Sequence, residues 1–307
     1  MNVREWALIT FTILAQMSAG AFIVLRIVHY IASRKAGMDE ADRLSDRALI
    51  AIIVTLGLGM LASLFHLGNP LNAPRAVTNL ATSWLSREIM SGVVFTVLGF
   101  LFTLLQWFKI GPSMLRTVIA WLASLMGIVL VYSMSMVYML PTQPVWNSFT
   151  TPITFFTSTI LLGTLALGVA FIANHAYIQK KNPKSSDIQS QLTRNSIRWI
   201  ALTAIVLLGV EIVMIPIYIG HLVLDGGAAL AGAKLLLGPF GMLFILKVIL
   251  GFTGAGVFGL FLFQNAQQAG KETALRYLVI GAFVLVLASE VIGRVIFYST
   301  QVGVGRL

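Results

Sequence analysis

Cysteine is absent from all 307 residues. That excludes disulfides, thiolate zinc sites, Cys-ligated iron–sulfur clusters and covalent c-type haem within the chain. Any redox chemistry must therefore use a bound organic cofactor, a His-ligated haem or a partner subunit. Charge is nearly as scarce. Only 10% of residues are Asp, Glu, Lys or Arg and 58% are hydrophobic, where a soluble domain carries about 25% charged and about 45–50% apolar residues. The mean hydropathy is +0.89, and too little polar surface remains to cover a soluble core of this size. A basic patch interleaved with aromatics is missing as well. The net charge of +10 is spread over short loops, which excludes a nucleic-acid partner and matches polytopic membrane proteins, whose inner loops retain Lys and Arg.

What is present is a series of long apolar runs. A membrane helix needs about 20 such residues, and eight segments qualify: Trp6–Ile31, Leu49–Leu67, Ile89–Phe108, Leu115–Leu140, Ile153–Ala173, Ile197–His221, Leu237–Phe263 and Leu275–Ser299. The first continues past Val28 and exceeds the 7–15-residue core of a signal peptide, so it is expected to be a transmembrane helix and not a cleaved leader. Polar punctuation such as "ASRKAGMDEADRLSDR", "PTQPVWNSFTTP" and "LDGGAALAGAK" separates the segments. None is long enough for a soluble domain, which predicts one membrane domain over residues 1–307. The expected fold is an all-α integral membrane protein with eight transmembrane helices. The loops after segments one, three, five and seven hold most of the Lys and Arg, for example Arg43, Arg47, Lys109, Lys180, Lys181 and Arg276. By the positive-inside rule both termini are periplasmic. "TFTILAQMSAGAFIV" and "TFFTSTILLGTLALGVAFI" have similar texture, so a repeat of four helices against four is a second, weaker reading.

Three charged residues lie deep in these segments. At 1.5 Å rise per residue, Glu211 and Lys247 fall about 15 Å, and Glu290 about 14 Å, from the outer ends of segments six, seven and eight. An unpaired charge there costs about 2.5–3.5 kcal/mol on insertion scales, so pairing is expected. Glu290 and Arg294 share a helical face at i, i+4. The network is either an ion-pair lock between helices or a proton path or cofactor site. Arg26 is expected to snorkel to the cytoplasmic edge. His29 and His175 lie near inner ends, and His66 and His221 near outer ends. Such an arrangement admits axial pairs for b-type haem.

Two groups stand at neighbouring outer ends. "SLFHLGNP" places His66 where Gly68 and Pro70 stop a helix, leaving an imidazole able to exchange protons near neutral pH. "SREIMSG" places Glu88 where the next segment begins. There it is either a first-turn carboxylate in a helix capped by Ser86, or a proton acceptor sharing a polar pocket with His66. No metal site is expected in this chain.

The stretches "REWALITFTILAQMSAGAFIVL", "GMLASLFHLGNPLNAPRAVTNLATSWLSREIMSG", "VWNSFTTPITFFTSTILLG" and "ASEVIGRVIFYS" together resemble the membrane anchor subunit (DmsC-type) of the bacterial dimethyl sulfoxide reductase family. The resemblance runs along nearly the whole sequence. It implies a haem-free anchor in the bacterial inner membrane that oxidises menaquinol in anaerobic respiration. Electrons pass to an iron–sulfur electron-transfer subunit and on to a molybdopterin catalytic subunit, and protons leave outward. His66 matches the family's quinol-site histidine and Glu88 the acid beginning the next helix. Glu211, Glu290 and Arg294 also match family positions, Lys247 replaces an arginine, and "SMSMVYML" lacks an arginine expected there.

Quinol oxidation releases two electrons and two protons, so it needs acceptors at the ring oxygens and an apolar slot. His66 and Glu88 are the predicted acceptors. Arg75 and Asn79 are candidates to touch the ring oxygens or a partner, and Trp6, Trp84 and Trp146 are candidate slot walls or aromatic-belt anchors. Two other readings stay open: a haem-b-containing quinol-oxidising anchor, and a secondary transporter. The latter is disfavoured because strong helix breaks are expected only at outer ends and not at the midplane.

Overall fold

A computed structural model describes residues 3–66, 77–181, 186–268 and 270–305. Among these residues it is all helical and contains eight helices long and apolar enough to cross a membrane. In sequence order the helices are α1 (Val3–Ala36), α2 (Met38–His66), α3 (Trp84–Trp107), α4 (Ser113–Val137), α5 (Thr150–Lys181), α6 (Ser186–Asp225), the short α7 (Gly227–Leu237), α8 (Gly241–Asn265) and α9 (Glu272–Ser299). With eight spans in alternating direction, the start of α1 and the end of α9 lie on one face, called here the termini face.

Several helices outrun their apolar segments. The sequence starts the second span at Leu49, but α2 begins at Met38, because Asp39 and Glu40 occupy its first turn where the helix dipole favours negative charge. Only Gly37, with φ of 89°, separates it from α1. Likewise α5 extends to Lys181 and α6 starts at Ser186. The stretch "LDGGAALAGAK", expected to be a connection, instead contains α7. Its alanines are strong helix formers, and Ala229 and Ala233 pack with Val145 and Leu222 as a small second core.

Two helices occupy the centre. In α1 and α5 72% of the most apolar window is buried, against 39% or less in every other span. They cross where Gly20 meets Gly163. A methyl group built on Gly20 would overlap the Thr159 carbonyl, and one on Gly163 the Ala21 amide nitrogen. Small residues at a crossing let membrane helices gain contact that lipid exclusion alone cannot supply. Around this pair α2 and α4 pack on α1, and α3 reaches it through Phe95 and Phe102, edge-on to Phe22, while α6 and α9 pack on α5 and α8 packs on those two. The outer surface is apolar, as at Val97, Phe100, Leu125, Val206 and Ile249, and is satisfied by lipid.

Two departures from regular helix lie within spans, where none was expected. Pro216 interrupts the ladder of α6, since it has no N–H to donate. A π-helical stretch, Phe252–Phe258, occupies the middle of α8. The half of α8 beyond Gly251 packs tightly on α6; a Cβ at Gly256 would sit 3.0 Å from Leu208 and one at Gly259 3.1 Å from Ile205. The Gly241–Gly251 half leans on α9 instead.

Arg26 does not snorkel. It is buried, its guanidinium lies over Phe102 (5.5 Å) and Trp121 (5.8 Å), and it points toward His29. The neighbours explain this. Asp42 accepts from His29 Nε2 (2.8 Å), Gln106 (2.8 Å) and Lys109 (2.6 Å), and Lys109 also reaches Asp46 (2.8 Å), so negative charge on α2 holds the ends of α1 and α3 together.

Candidate functional site

The clearest site on the first half of the bundle begins with the start of α3. Ser83, in extended conformation, is the N-cap, and its hydroxyl accepts from the Ser86 amide at 3.2 Å. Ser86 is therefore not the cap, and Glu88 is not in the first turn. It is the fifth residue of α3 and is buried, so the capping explanation for this carboxylate fails. Arg87 points the other way, donating to the Leu80 and Ala81 carbonyls (2.9 and 2.8 Å) and stacking on Trp84 (4.2 Å).

Two tyrosine hydroxyls, those of Tyr138 and Tyr298, lie at the ends of α4 and α9. Those hydroxyls hydrogen-bond each other at 2.8 Å, joining the end of α4 to the end of α9. Aromatic rings surround the pair. Trp146 stacks on Phe297 (5.3 Å, 14°) and donates its indole N–H to the Phe297 carbonyl, while Tyr138 packs against Trp146, Phe155 and Phe297. Trp146 is thus a wall of an aromatic cluster. Trp84 faces Tyr132 (5.5 Å), and Trp6 is half exposed at the start of α1. Asn79 is exposed in a 3-10 turn whose last carbonyl accepts from the Thr82 and Ser83 amides. His66 ends α2, but its side chain, like Arg75 altogether, lies outside the described residues.

The second cluster unites the deep charges. Lys247 Nζ on α8 lies 3.3 Å from Glu211 on α6 and 3.7 Å from Glu290 on α9. Ser158 of α5 donates to Glu290. Arg294 is not ion-paired with Glu290 despite their i, i+4 spacing. Its guanidinium donates to Gln16 of α1 at 2.7 Å and covers the Phe155 ring at 3.8 Å. A cavity of about 140 Å³ lies against this cluster. Of the other histidines, His29 bonds Asp42, His175 meets Ser190 (3.3 Å) and His221 lies 3.6 Å from Asp225.

Sequence reasoning missed the tyrosine pair, Gln16 and Ser158. Gln16 was findable as a lone amide in the middle of an apolar run. The tyrosines, 160 residues apart, were not, because each alone reads as an interfacial aromatic.

A multi-pass helical membrane protein with polar groups buried at several places between its helices is the class these features define. Comparison with known proteins then makes the assignment specific. The profile of the family described as "DMSO reductase anchor subunit (DmsC)" matches residues 1–300. The sequence is 29% identical over 307 residues to the C subunit of anaerobic dimethyl sulfoxide reductase from Escherichia coli K12, spanning 98% of this protein and 96% of that one. The YnfH subunit of an anaerobic dimethyl sulfoxide reductase from the same organism is 26% identical over 98% and 96% of the two proteins. The C subunit of the Haemophilus influenzae enzyme is 27% identical over 99% and 97%. The protein belongs to the DMSO reductase anchor subunit family.

Proposed function

We propose that this protein is the quinol-oxidising anchor of a molybdopterin and iron–sulfur oxidoreductase in the bacterial inner membrane. It takes electrons from menaquinol and passes them to an iron–sulfur partner subunit, which serves the molybdopterin catalytic subunit. The termini face is periplasmic, and the quinol headgroup binds on that side. The observation that carries this reading is the placement of Glu88, a buried carboxylate inside α3 and away from its cap.

The chemistry follows from that placement. A hydroquinone loses two protons with its two electrons, and its neutral ring favours an apolar slot. A desolvated carboxylate is a strong local proton acceptor, because burial leaves it few other ways to satisfy its charge. His66, the final residue of α2, supplies the second acceptor at the same face. Tyr138 and Tyr298 offer hydroxyls for a ring oxygen. Family membership supports the partners and favours an anchor over a transporter. The terminal acceptor is a property of the catalytic partner.

The test is turnover of the assembled complex with a lipophilic menaquinol analogue. General acid–base groups contribute about 10²–10⁴-fold, so Glu88→Gln is expected to cut quinol-dependent turnover by that range. Complex yield and reduction of the terminal acceptor by an artificial dye donor stay at wild-type levels. Undiminished quinol turnover in that variant would remove Glu88 from the mechanism.

A further inference from the structure

We propose that a groove between α1 and α6, in the half of the membrane away from the termini face, binds one anionic phospholipid. Its acyl chain lies along the groove and its phosphate meets Lys35. The site stands apart from Glu88 and from the deep charges.

The groove exists because of how three helices pack. Both α1 and α6 lie along α5, but they barely touch each other. Helix α5 is therefore the floor of a trough whose sides are α1 and α6. The trough begins beside the Gly20–Gly163 crossing, where Ile23 of α1 and Ile160 and Thr164 of α5 line it. It runs to Lys35 in the last turn of α1, at the end opposite the termini face. From Ile23 to Lys35 the helix rises about 18 Å, and one leaflet's share of the hydrocarbon core is about 15 Å. The trough therefore spans a single leaflet and its interface and stops at mid-membrane. Its volume is about 310 Å³, within the range of about 300–1,000 Å³ found for ligand sites.

Shape and charge select the occupant. Ile23, Ile27 and Ile31 stand in one row along α1, and Leu192 and Ile200 of α6 line the other side. Ile27 and Ile31 are 45% and 43% exposed, so the trough opens to lipid. A narrow aliphatic trough fits a flexible methylene chain. Apolar contact alone distinguishes no bound chain from bulk lipid, so selectivity must come from the mouth. There Lys35 offers an ammonium, Asn195 an amide and Trp199 an indole N–H, and no carboxylate lines the groove among the described residues. Neither Lys35 nor Asn195 has a hydrogen-bond or ion-pair partner among those residues. The neighbouring charges are engaged elsewhere. Arg194 faces Glu272 at 3.6 Å, Arg198 lies over Phe263 at 4.8 Å, and Glu40 accepts from Arg43 (3.1 Å) and Gln189 (2.6 Å). Helical side chains lean toward the N-terminus, which carries the Lys35 ammonium back over the mouth. One cation flanked by neutral donors suits a phosphodiester, which is an acceptor with a single negative charge, and basic pockets between membrane helices hold anionic headgroups in this way. A zwitterionic lipid brings its own ammonium to the same place, and a neutral quinol leaves Lys35 without a counter-charge. Bound there, the phospholipid fills the gap that α1 and α6 leave over α5.

The experiment uses the whole complex, purified and delipidated in detergent, and titrated with phosphatidylglycerol that carries a diazirine on its acyl chain. Labelled peptides are mapped by mass spectrometry. Label is expected on α1 around Ile27 and on α6 around Ile200, saturating at one lipid per complex. Lys35→Gln should lower the affinity about fivefold or more, the share of one lysine at a charged membrane surface. Arg34→Gln, one residue away and outside the groove, should leave it nearly unchanged. Ile27→Trp fills the trough at a lipid-facing position and should abolish the label. Diazirine phosphatidylcholine should label these peptides several-fold less, and excess menaquinol analogue should not displace the phosphatidylglycerol. Equal labelling by phosphatidylcholine, displacement by the quinol analogue, equal losses in Lys35→Gln and Arg34→Gln, or label spread evenly over all spans would overturn the site. If Ile27→Trp does not assemble, the contrast between Lys35→Gln and Arg34→Gln decides alone.

Discussion

Replacing Lys247 by methionine tests whether the α6–α8–α9 contact is held by charge. The ammonium lies 3.3 Å from one carboxylate and 3.7 Å from the other. At an effective dielectric of about 20, those separations correspond to gross attractions of about 5 and about 4.5 kcal/mol. Desolvation of all three groups offsets most of that sum. What Lys247→Met removes is the compensation for two carboxylates that stay buried, and breaking a buried pair in this way costs about 3–5 kcal/mol. At 1.4 kcal/mol per decade, that is roughly a hundred- to several-thousand-fold loss in the folded population. The assay is denaturant unfolding of the purified complex in detergent, followed by near-UV signals and by retention of the membrane subunit. The informative control is the triple variant Lys247→Met with Glu211→Gln and Glu290→Gln, which removes the stranded charges and is expected to recover at least half of the loss. Wild-type stability in Lys247→Met, or no recovery in the triple variant, would refute the argument that charge pairing and not apolar packing holds this seam.

Two further outcomes follow from contacts elsewhere. Gly163→Val forces a branched side chain into the Ala21 backbone and should lower stability by about 1–3 kcal/mol or more, read as a fall in thermal midpoint and in membrane yield; an unchanged midpoint would show that α1 and α5 can separate freely. Asp42→Ala strips the acceptor shared by His29, Gln106 and Lys109, and hydrogen bonds to charged groups contribute about 1.5–3 kcal/mol each. Because Lys109 is 44% exposed and keeps Asp46, the expected loss is about 1.5–3 kcal/mol in total, visible in unfolding midpoints with quinol turnover retained.

The eight spans were legible because a run of about twenty apolar residues matches the thickness of a bilayer and little else, and the co-location of Glu211, Lys247 and Glu290 was legible from rise per residue. Helix ends were not. Met38–Leu49 and Ser186–Ile197 are polar, so a hydropathy reading stops at the membrane edge although the backbone hydrogen bonds continue. Glu88 illustrates the local limit: "TSWLSRE" contains more than one plausible cap, and choosing Ser83 over Ser86 moves the carboxylate from a helix end to a buried face. Arg26 shows the tertiary limit. Snorkelling is the default for a lone arginine; His29 stands one turn away on the same helix, but only the fold brings Asp42 and two aromatic rings to them. Lateral cavities are the least legible of all, since the divergence of α8 from α6 depends on which half of a glycine-rich helix finds a close partner.

The meeting of Gly20 and Gly163 has a consequence for how the protein tolerates different membranes. Contact there is main chain against main chain, with no side chain between to be squeezed or to change rotamer. A change in bilayer thickness can tilt the outlying helices, but it has nothing compressible to act on at this crossing. The two halves are pinned like scissor blades at a rivet, and lateral pressure is taken up at their free edges. Lipid composition should therefore shift the outlying helices while leaving the spacing between α1 and α5 constant.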